Sequence, residues 1–515
     1  MTDREIGWVG CVITALALVT LEAKAEEITR GKVDVAIPLL EKVAKETLTR
    51  TGVPGMAFGI VYKDQVLYLK GLGVREAGKP EPVDADTVFQ VASVSKPITT
   101  TVLARLVGEG KIGWNDRVID HMPEFRLYDS WVTREVRLRD FLCHRSGLPD
   151  QAGDLLEDMG YGRGEVLRRL RFQPLASSFR SEYAYTNFGF TAAAEAAARA
   201  EGMAWEDLCE QKLFEPLGMT ATSARFSDFE KASNRVKLHV RVDGQWVPKF
   251  VRQPDAQAPA GGVSSNVRDM TQWLRLQLAG GKFDGKLIVD SKALADTHAP
   301  SVITGFHPDD NRPGLYGLGW GIVIDPEGRV FWRHSGAFFL GIRTEVALLP
   351  AEQLGIVVLT NAAPTGVPEA INDSFFDLVF HGKLGTDWVE LWNGRFDQLV
   401  KQMYQAQTDY SHPPAPPSPA MPVKSYTGRY QNDYFGALEI LETNGSLMLK
   451  LGPRKMSFPL RHWDRDTFTY LPTGESASGT SGCIFTLDAK NVAQKVLLEA
   501  LNGNGLGTFQ RVGEP

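Results

Sequence analysis

Three short clusters in this 515-residue chain combine residue types suited to acyl-transfer chemistry. Ser93-Val-Ser-Lys96 sets a hydroxyl and an amine three residues apart, and it is the only S-x-x-K in the chain. Apolar residues Ile98, Val102, Leu103 and Leu106 follow at helical spacing, so the two polar groups share one face. Pro97 is tolerated only within a first turn, which places Ser93 at or near a helix N-terminus. A serine at neutral pH needs a base, and a lysine screened from water loses its proton and becomes one. The helix N-terminus adds N–H groups aimed at a developing oxyanion.

Tyr185-Thr-Asn187 is the second cluster, in the loop-like stretch Ser181–Gly189. Beside a lysine, a tyrosine suits proton transfer between nucleophile and leaving group. The asparagine two residues on points the same way and suits a substrate acyl amide. His334-Ser335-Gly336 is the third, at the end of the strand-like Val330–Arg333. Gly336 lets backbone approach a ligand closely, and the Ala337 N–H then joins that of Ser93 as an oxyanion donor. Each cluster also has an ordinary explanation. Chance supplies about one S-x-x-K in a chain this long. The Tyr-x-Asn pattern recurs at Tyr430-Gln-Asn432, and His-Ser-Gly commonly turns the chain between strands.

Their order carries more weight than any one of them. Serine–lysine, then tyrosine–asparagine, then a basic residue with Ser-Gly is the type of set found in β-lactamases and penicillin-binding proteins. On these residues the chain resembles the serine β-lactamase and penicillin-binding-protein-like superfamily, in particular its class C-like branch with family VIII esterases and D-amino-acid peptidases and amidases. The resemblance spans roughly residues 34–382. Leu138-Arg-Asp-Phe-Leu-Cys-His-Arg-Ser-Gly-Leu148, Pro259-Ala-Gly-Gly-Val-Ser-Ser-Asn266, Gly317-Leu-Gly-Trp-Gly321 and Val358-Leu-Thr-Asn361 reinforce it.

The resemblance implies Ser93 as nucleophile, Lys96 as its activating partner and Tyr185 as general base and acid. Asn187, His334, Ser335 and Gly336 become substrate-binding residues, with the Ser93 and Ala337 N–H groups as oxyanion donors. It implies neither cofactor nor metal. His334 stands where β-lactamases usually carry lysine, and a histidine is mostly neutral at pH 7. That suits a β-lactam carboxylate poorly. The expected function is a serine hydrolase acting through a Ser93 acyl-enzyme on a small ester or a short peptide or amide. The alternatives are a β-lactamase or D,D-peptidase and, as a third class, a non-catalytic penicillin- or peptide-binding sensor. An α/β-hydrolase is disfavoured because the chain has no G-x-S-x-G.

The elements that must hold these residues suggest two units. An amphipathic helix over Val33–Thr49 precedes strands Gly55–Tyr62 and Gln65–Lys70, whose two-residue connection indicates a hairpin. Residues 92–300 read as mainly helical. Strands return at Trp320–Ile324, Val330–Arg333, Thr344–Leu349 and Leu354–Leu359, and a helix over Glu369–Phe380 closes the unit. The expected class is α+β, an antiparallel sheet flanked by helices with a large helical insertion. Ser411–Pro422 holds six prolines in twelve residues and reads as an extended spacer. Five short strands beyond it, separated by turns such as Thr443-Asn-Gly445, predict a small all-β barrel. From Tyr426-Thr-Gly-Arg-Tyr430 onward it looks like the lipocalin-like domain attached to many such hydrolases, where it packs on the catalytic unit and restricts access to the cleft. The expected organisation is a signal peptide over 1–25, a catalytic domain over 26–410, a linker over 411–423 and a barrel over 424–515.

Composition narrows the partners. The chain is 43% hydrophobic and 23% charged, with a net charge of -6, so it is a folded protein with no basic run for nucleic acid. Its four cysteines are too scattered for a metal site or a disulfide scaffold. The apolar run Ile6–Leu21 before Ala23-Lys-Ala25 fits a cleaved export signal, although Arg4 is flanked by Asp3 and Glu5. A periplasmic or secreted protein with no membrane span in its mature form is expected, its partner being a small-molecule or short-peptide substrate. The sequence leaves the oligomeric state open.

Overall fold

Continuous apolar runs form the centre of the first sheet, because helices cover both of its faces. The computed structural model describes residues 27–307, 311–405, 408–477 and 479–513, so the expected signal peptide lies outside the described residues. Helix α1 (Arg30–Thr51) leads into the hairpin β1 (Gly55–Tyr62) and β2 (Gln65–Gly73). The helical insertion follows. It holds α2 (Ser95–Gly108), α3 (Asp154–Asp158), α4 (Arg163–Arg169), α5 (Asn187–Ala200) and α6 (Val267–Leu278). The chain then returns to the sheet through β3 (Val302–Phe306), β4 (Pro313–Tyr316), β5 (Gly321–Ile324), β6 (Val330–Phe338), β7 (Ile342–Leu349) and β8 (Leu354–Thr360). Helices α7 (Val367–His381) and α8 (Trp388–Gln405) end this unit.

The eight strands lie in the order β2-β1-β8-β7-β6-β5-β4-β3, all antiparallel. Every residue of β1 is buried. Met56, Phe58 and Ile60 pack in one cluster with Leu40 of α1 and with Ile371 and Phe375 of α7. Ala57 and Val61 belong to the opposite cluster, with Met270 and Trp273 of α6. This is the α+β architecture expected from the sequence. Two differences bear on the site. His334-Ser-Gly336 does not end a strand; β6 continues to Phe338 because its register with β7 holds from Trp332–Leu348 to Phe338–Ile342. Strand β5 pairs only with Val330–Arg333, so the second half of β6 has a free edge on that side. Helix α8 was not anticipated by the sequence reading.

Ser411–Pro422 contains neither helix nor strand. Beyond it come β9 (Gly428–Asn432), β10 (Gly436–Thr443), β11 (Ser446–Leu451), β12 (Met456–Pro459), β13 (Arg461–Asp464), β14 (Thr467–Tyr470), β15 (Ser481–Leu487), β16 (Ala493–Leu498) and β17 (Thr508–Gly513). They form one sheet in the order β12-β11-β10-β9-β17-β16-β15-β14-β13. Its two end strands are consecutive in the chain with only Leu460 between them, so the sheet is a nearly closed barrel. Tyr430, Ile440, Leu449, Val496 and Phe509 are fully buried in it. Cys143, Cys209 and Cys483 are buried free thiols. Among the described residues no helix is long and apolar enough to cross a membrane.

Phe375 of α7 packs under the sheet, in the cluster opposite the one that holds Val91, Ala92 and Val94 beside Ser93. Phe375→Ala should therefore lower stability by about 3–5 kcal/mol, through lost burial and the cavity left behind. Urea denaturation would show this as a lower transition midpoint.

Candidate active site

The chain enters the site through a short helical turn, Ala92–Val94, that runs directly into α2. Ala92 is held at φ +47°, an uncommon conformation for a residue with a side chain. Pro97 is the third residue of α2, within the first turn as the sequence required. Lys96 is fully buried, and its Nζ lies 3.2 Å from Ser93 Oγ, 2.7 Å from Asn187 Oδ1 and 2.9 Å from the carbonyl of Ala260. Burial pushes its pKa down from 10.5 to about 7, opposed only by the charge of Asp154. A neutral amine has two N–H donors and one lone pair. Asn187 and Ala260 take the two hydrogens, which leaves the lone pair for the Ser93 hydroxyl.

Asn187 is not in a loop; it is the first residue of α5. Its Nδ2 donates to Asp154 Oδ2 at 2.8 Å, so its amide is occupied on both sides by protein. Burial raises the Asp154 carboxyl well above the usual carboxylate range, which weakens its pull on the Lys96 proton. Tyr185 is within hydrogen-bonding reach of Ser93, and Lys96 Nζ sits 4.5 Å from the centre of its ring. Burial holds the Tyr185 hydroxyl protonated, well above its ordinary pKa.

On the facing strand, His334 and Gly336 point toward Ser93. A Cβ on Gly336 would stand 2.3 Å from the Val91 carbonyl and 3.0 Å from the Ser93 nitrogen. Only glycine lets β6 come this close, and Thr344 Oγ1 fastens β7 to the same Val91 carbonyl at 2.8 Å. His334 Nδ1 donates to the Ser335 carbonyl at 2.7 Å, so Nε2 accepts from Tyr316 Oη at 2.9 Å. Burial, with the nearby Lys96, lowers its pKa to about 3, so His334 is neutral. The Ser335 hydroxyl does not join this group; strand alternation turns it away to Glu369 Oε1 at 2.9 Å. Ala337 lines the cleft.

Several contributors were not singled out from sequence. His144, inside the motif Leu138–Leu148, accepts the Thr186 N–H on Nδ1 at 3.1 Å, and its ring lies 4.4 Å from that of Tyr185. Burial keeps it neutral, helped by the basic Lys96 and His334 side chains nearby. Its motif was a signal, but its role was not readable. Tyr316 and Asp154 had no local signal. The site opens into a cleft of about 1000 Å³ whose far wall includes Trp388 and Trp392 of α8 and Arg395. Glu475 and Ser476 of the barrel reach into the same cleft.

A family model described as Beta-lactamase matches residues 40–376. The chain belongs to that family. This places it among serine hydrolases in general. A second model, described as a domain of unknown function (DUF3471), matches residues 412–506. Among curated relatives, unguisins hydrolase ungD' of Aspergillus campestris is 27% identical over 423 residues, covering 78% of this chain and 77% of its own. Protein flp of Staphylococcus aureus is 23% identical and covers 67% of each chain. Among solved structures, the octameric penicillin-binding protein homologue from Pyrococcus abyssi aligns with a TM-score of 0.59 at 20% identity. It covers 90% of this chain and 98% of that one, a likeness of fold.

The Gly336 approach is the tightest constraint on the site. Gly336→Ala should cost about 1–3 kcal/mol by forcing β6 away from the Ala92–Val94 turn. Chemical denaturation of the two proteins side by side measures it.

Proposed function

We propose that the chain is an acyl hydrolase that works through a Ser93 acyl-enzyme on short peptides, amides or esters. The observation that carries this reading is the fully buried Lys96, placed 3.2 Å from Ser93 Oγ with a pKa near 7. Neutral Lys96 takes the Ser93 proton as Oγ attacks the acyl carbon. The oxyanion forms between the Ser93 and Ala337 N–H groups. Tyr185, kept protonated by its surroundings, donates to the leaving group and is reprotonated from Lys96. Of the two bases that the sequence offered, this assigns the first proton to Lys96 and leaves Tyr185 as the acid. Water then enters, and the same groups return in reverse order to release the acid.

The free edge of β6 from His334 to Phe338 supports an extended substrate, because its backbone groups can pair with a peptide strand. The cleft is larger than a small ester needs. Neutral His334 offers no permanent cation for a β-lactam carboxylate, which places β-lactamase and D,D-peptidase activity second. The apolar run Ile6–Leu21 supports export from the cytoplasm.

A fluorophosphonate should label Ser93, identified by peptide mass spectrometry, and Ser93→Ala should abolish both label and turnover of p-nitrophenyl esters and amino-acid p-nitroanilides. Labelling at another serine, or turnover that survives Ser93→Ala, overturns the reading. Nitrocefin turnover should be slow or absent.

The Lys96 proton sets the pH response. kcat/KM should rise with pH through about 7 as the amine becomes neutral. Lys96→Arg, permanently charged, should lose about 10²–10⁴-fold at every pH. The linked effect on folding has the same sign. Between about 7 and 10.5 the folded state binds one proton fewer than the unfolded chain at this site, so Lys96 makes stability rise with pH across that window.

A further inference from the structure

One loop of the barrel touches both supports of the site. Between β14 and β15, Gly474 sits at φ +130°, where a Cβ would fall 2.5 Å from Asp158 Cγ. Glycine is therefore needed both for the backbone conformation and for the approach. The next two N–H groups, of Glu475 and Ser476, donate to the two carboxylate oxygens of Asp158 at 2.9 and 2.8 Å. The Glu475 carboxylate turns the other way and accepts the N–H of Phe339, in the turn between β6 and β7. Its second oxygen lies 3.8 Å from Arg252 Nε. Arg252 is itself buried, bonded to Glu157 at 2.6 Å and stacked 4.9 Å from the Phe338 ring.

Both attachment points lead back to Ser93. Asp158 ends α3, and Asp154, which starts α3, holds Asn187 against Lys96. Phe339 lies two residues past Ala337 and directly follows the strand that brings Gly336 against the Ser93 nitrogen. The loop thus spans the gap between the lysine side of the site and the oxyanion side. We propose that Glu475 is a positioning residue for the Ser93 reaction: the barrel loop fixes the spacing of α3 and the β6–β7 turn, and the Glu475 oxygen on Phe339 holds the end of the oxyanion strand. This rests on the Ser93 reading above.

A purely adhesive role for the loop would alter stability and leave kcat alone. Full-length Glu475→Ala, Glu475→Gln, Gly474→Ala and Ser93→Ala are compared on a p-nitrophenyl ester, with Tm measured for each. Glu475→Ala should lower kcat about tenfold or more with KM within about threefold and Tm within a few degrees of the parent. Glu475→Gln keeps an acceptor for the Phe339 N–H and should restore kcat to within about threefold. Gly474→Ala, which forces the loop off Asp158, should resemble Glu475→Ala. Parental kcat in Glu475→Ala, a loss equal in Gln and Ala, or a loss matching the fraction unfolded overturns the proposal. Failure of both loop variants to fold marks the loop as structural support and overturns it as well. If Ser93→Ala still turns over substrate, the Ser93 reading itself has failed. If it is silent while Glu475→Ala runs at full speed, only the positioning role has failed.

Discussion

A lysine side chain shielded from solvent and without a full counter-charge is the constraint around which this protein is arranged. Transferring an ammonium into such a place is costly, and proteins relieve that cost by releasing the proton. Lys96 is fully buried, and the one carboxylate that acts on it, Asp154, is itself driven toward its neutral form by burial. The three atoms around Nζ come from three parts of the chain: the turn before α2, the start of α5, and the Ala260 carbonyl just before Val263, which pairs back to Ser95. The helical insertion exists in the fold as the means of bringing these together over the sheet.

Neutrality extends beyond Lys96. His144 and His334 are both kept uncharged by burial, and each uses one ring nitrogen as an acceptor, from Thr186 and Tyr316. Tyr185 keeps its proton for the same reason. The site therefore holds few net charges of its own in the resting state. In the proposed reaction, charge that develops on an oxyanion would then be met by backbone dipoles rather than by competing side chains. Ionic pairs are placed further out, as with Arg252 and Glu157, or Arg333 between Glu345 and Asp373.

How much of this was legible in the sequence depended on range. Strand β1 is read correctly over Gly55–Tyr62 because the two-residue connection to the next strand-like run marks a hairpin. Ser93, Lys96, Tyr185 and His334 could be singled out because each sits in a short local motif, and the structure brings all four to one place. The occupied amide of Asn187 was not legible, since Asp154 lies 33 residues upstream with nothing to mark it. Helix α8 was missed although Trp388, Trp392, Phe396 and Leu399 recur at helical spacing, and Trp388, Trp392 and Leu399 of that stripe line the cleft. Asp158 and Glu475 are 317 residues apart in the chain, and no local pattern ties a loop of one unit to a helix of another.

The short β5 leaves half of β6 without a neighbour, a row of backbone donors and acceptors open to any extended chain. Sheet edges of this kind are where folded proteins begin to associate with one another. Here the unpaired stretch lies within the cleft, whose walls include Trp388 and Trp392 of α8 and Glu475 and Ser476 of the barrel. A lone flexible segment can thread between these walls, whereas the rigid sheet of a second molecule meets them first. The cleft walls therefore shield this half of β6 from the sheet of a second molecule, and they sort incoming chains by thickness before any side chain is read.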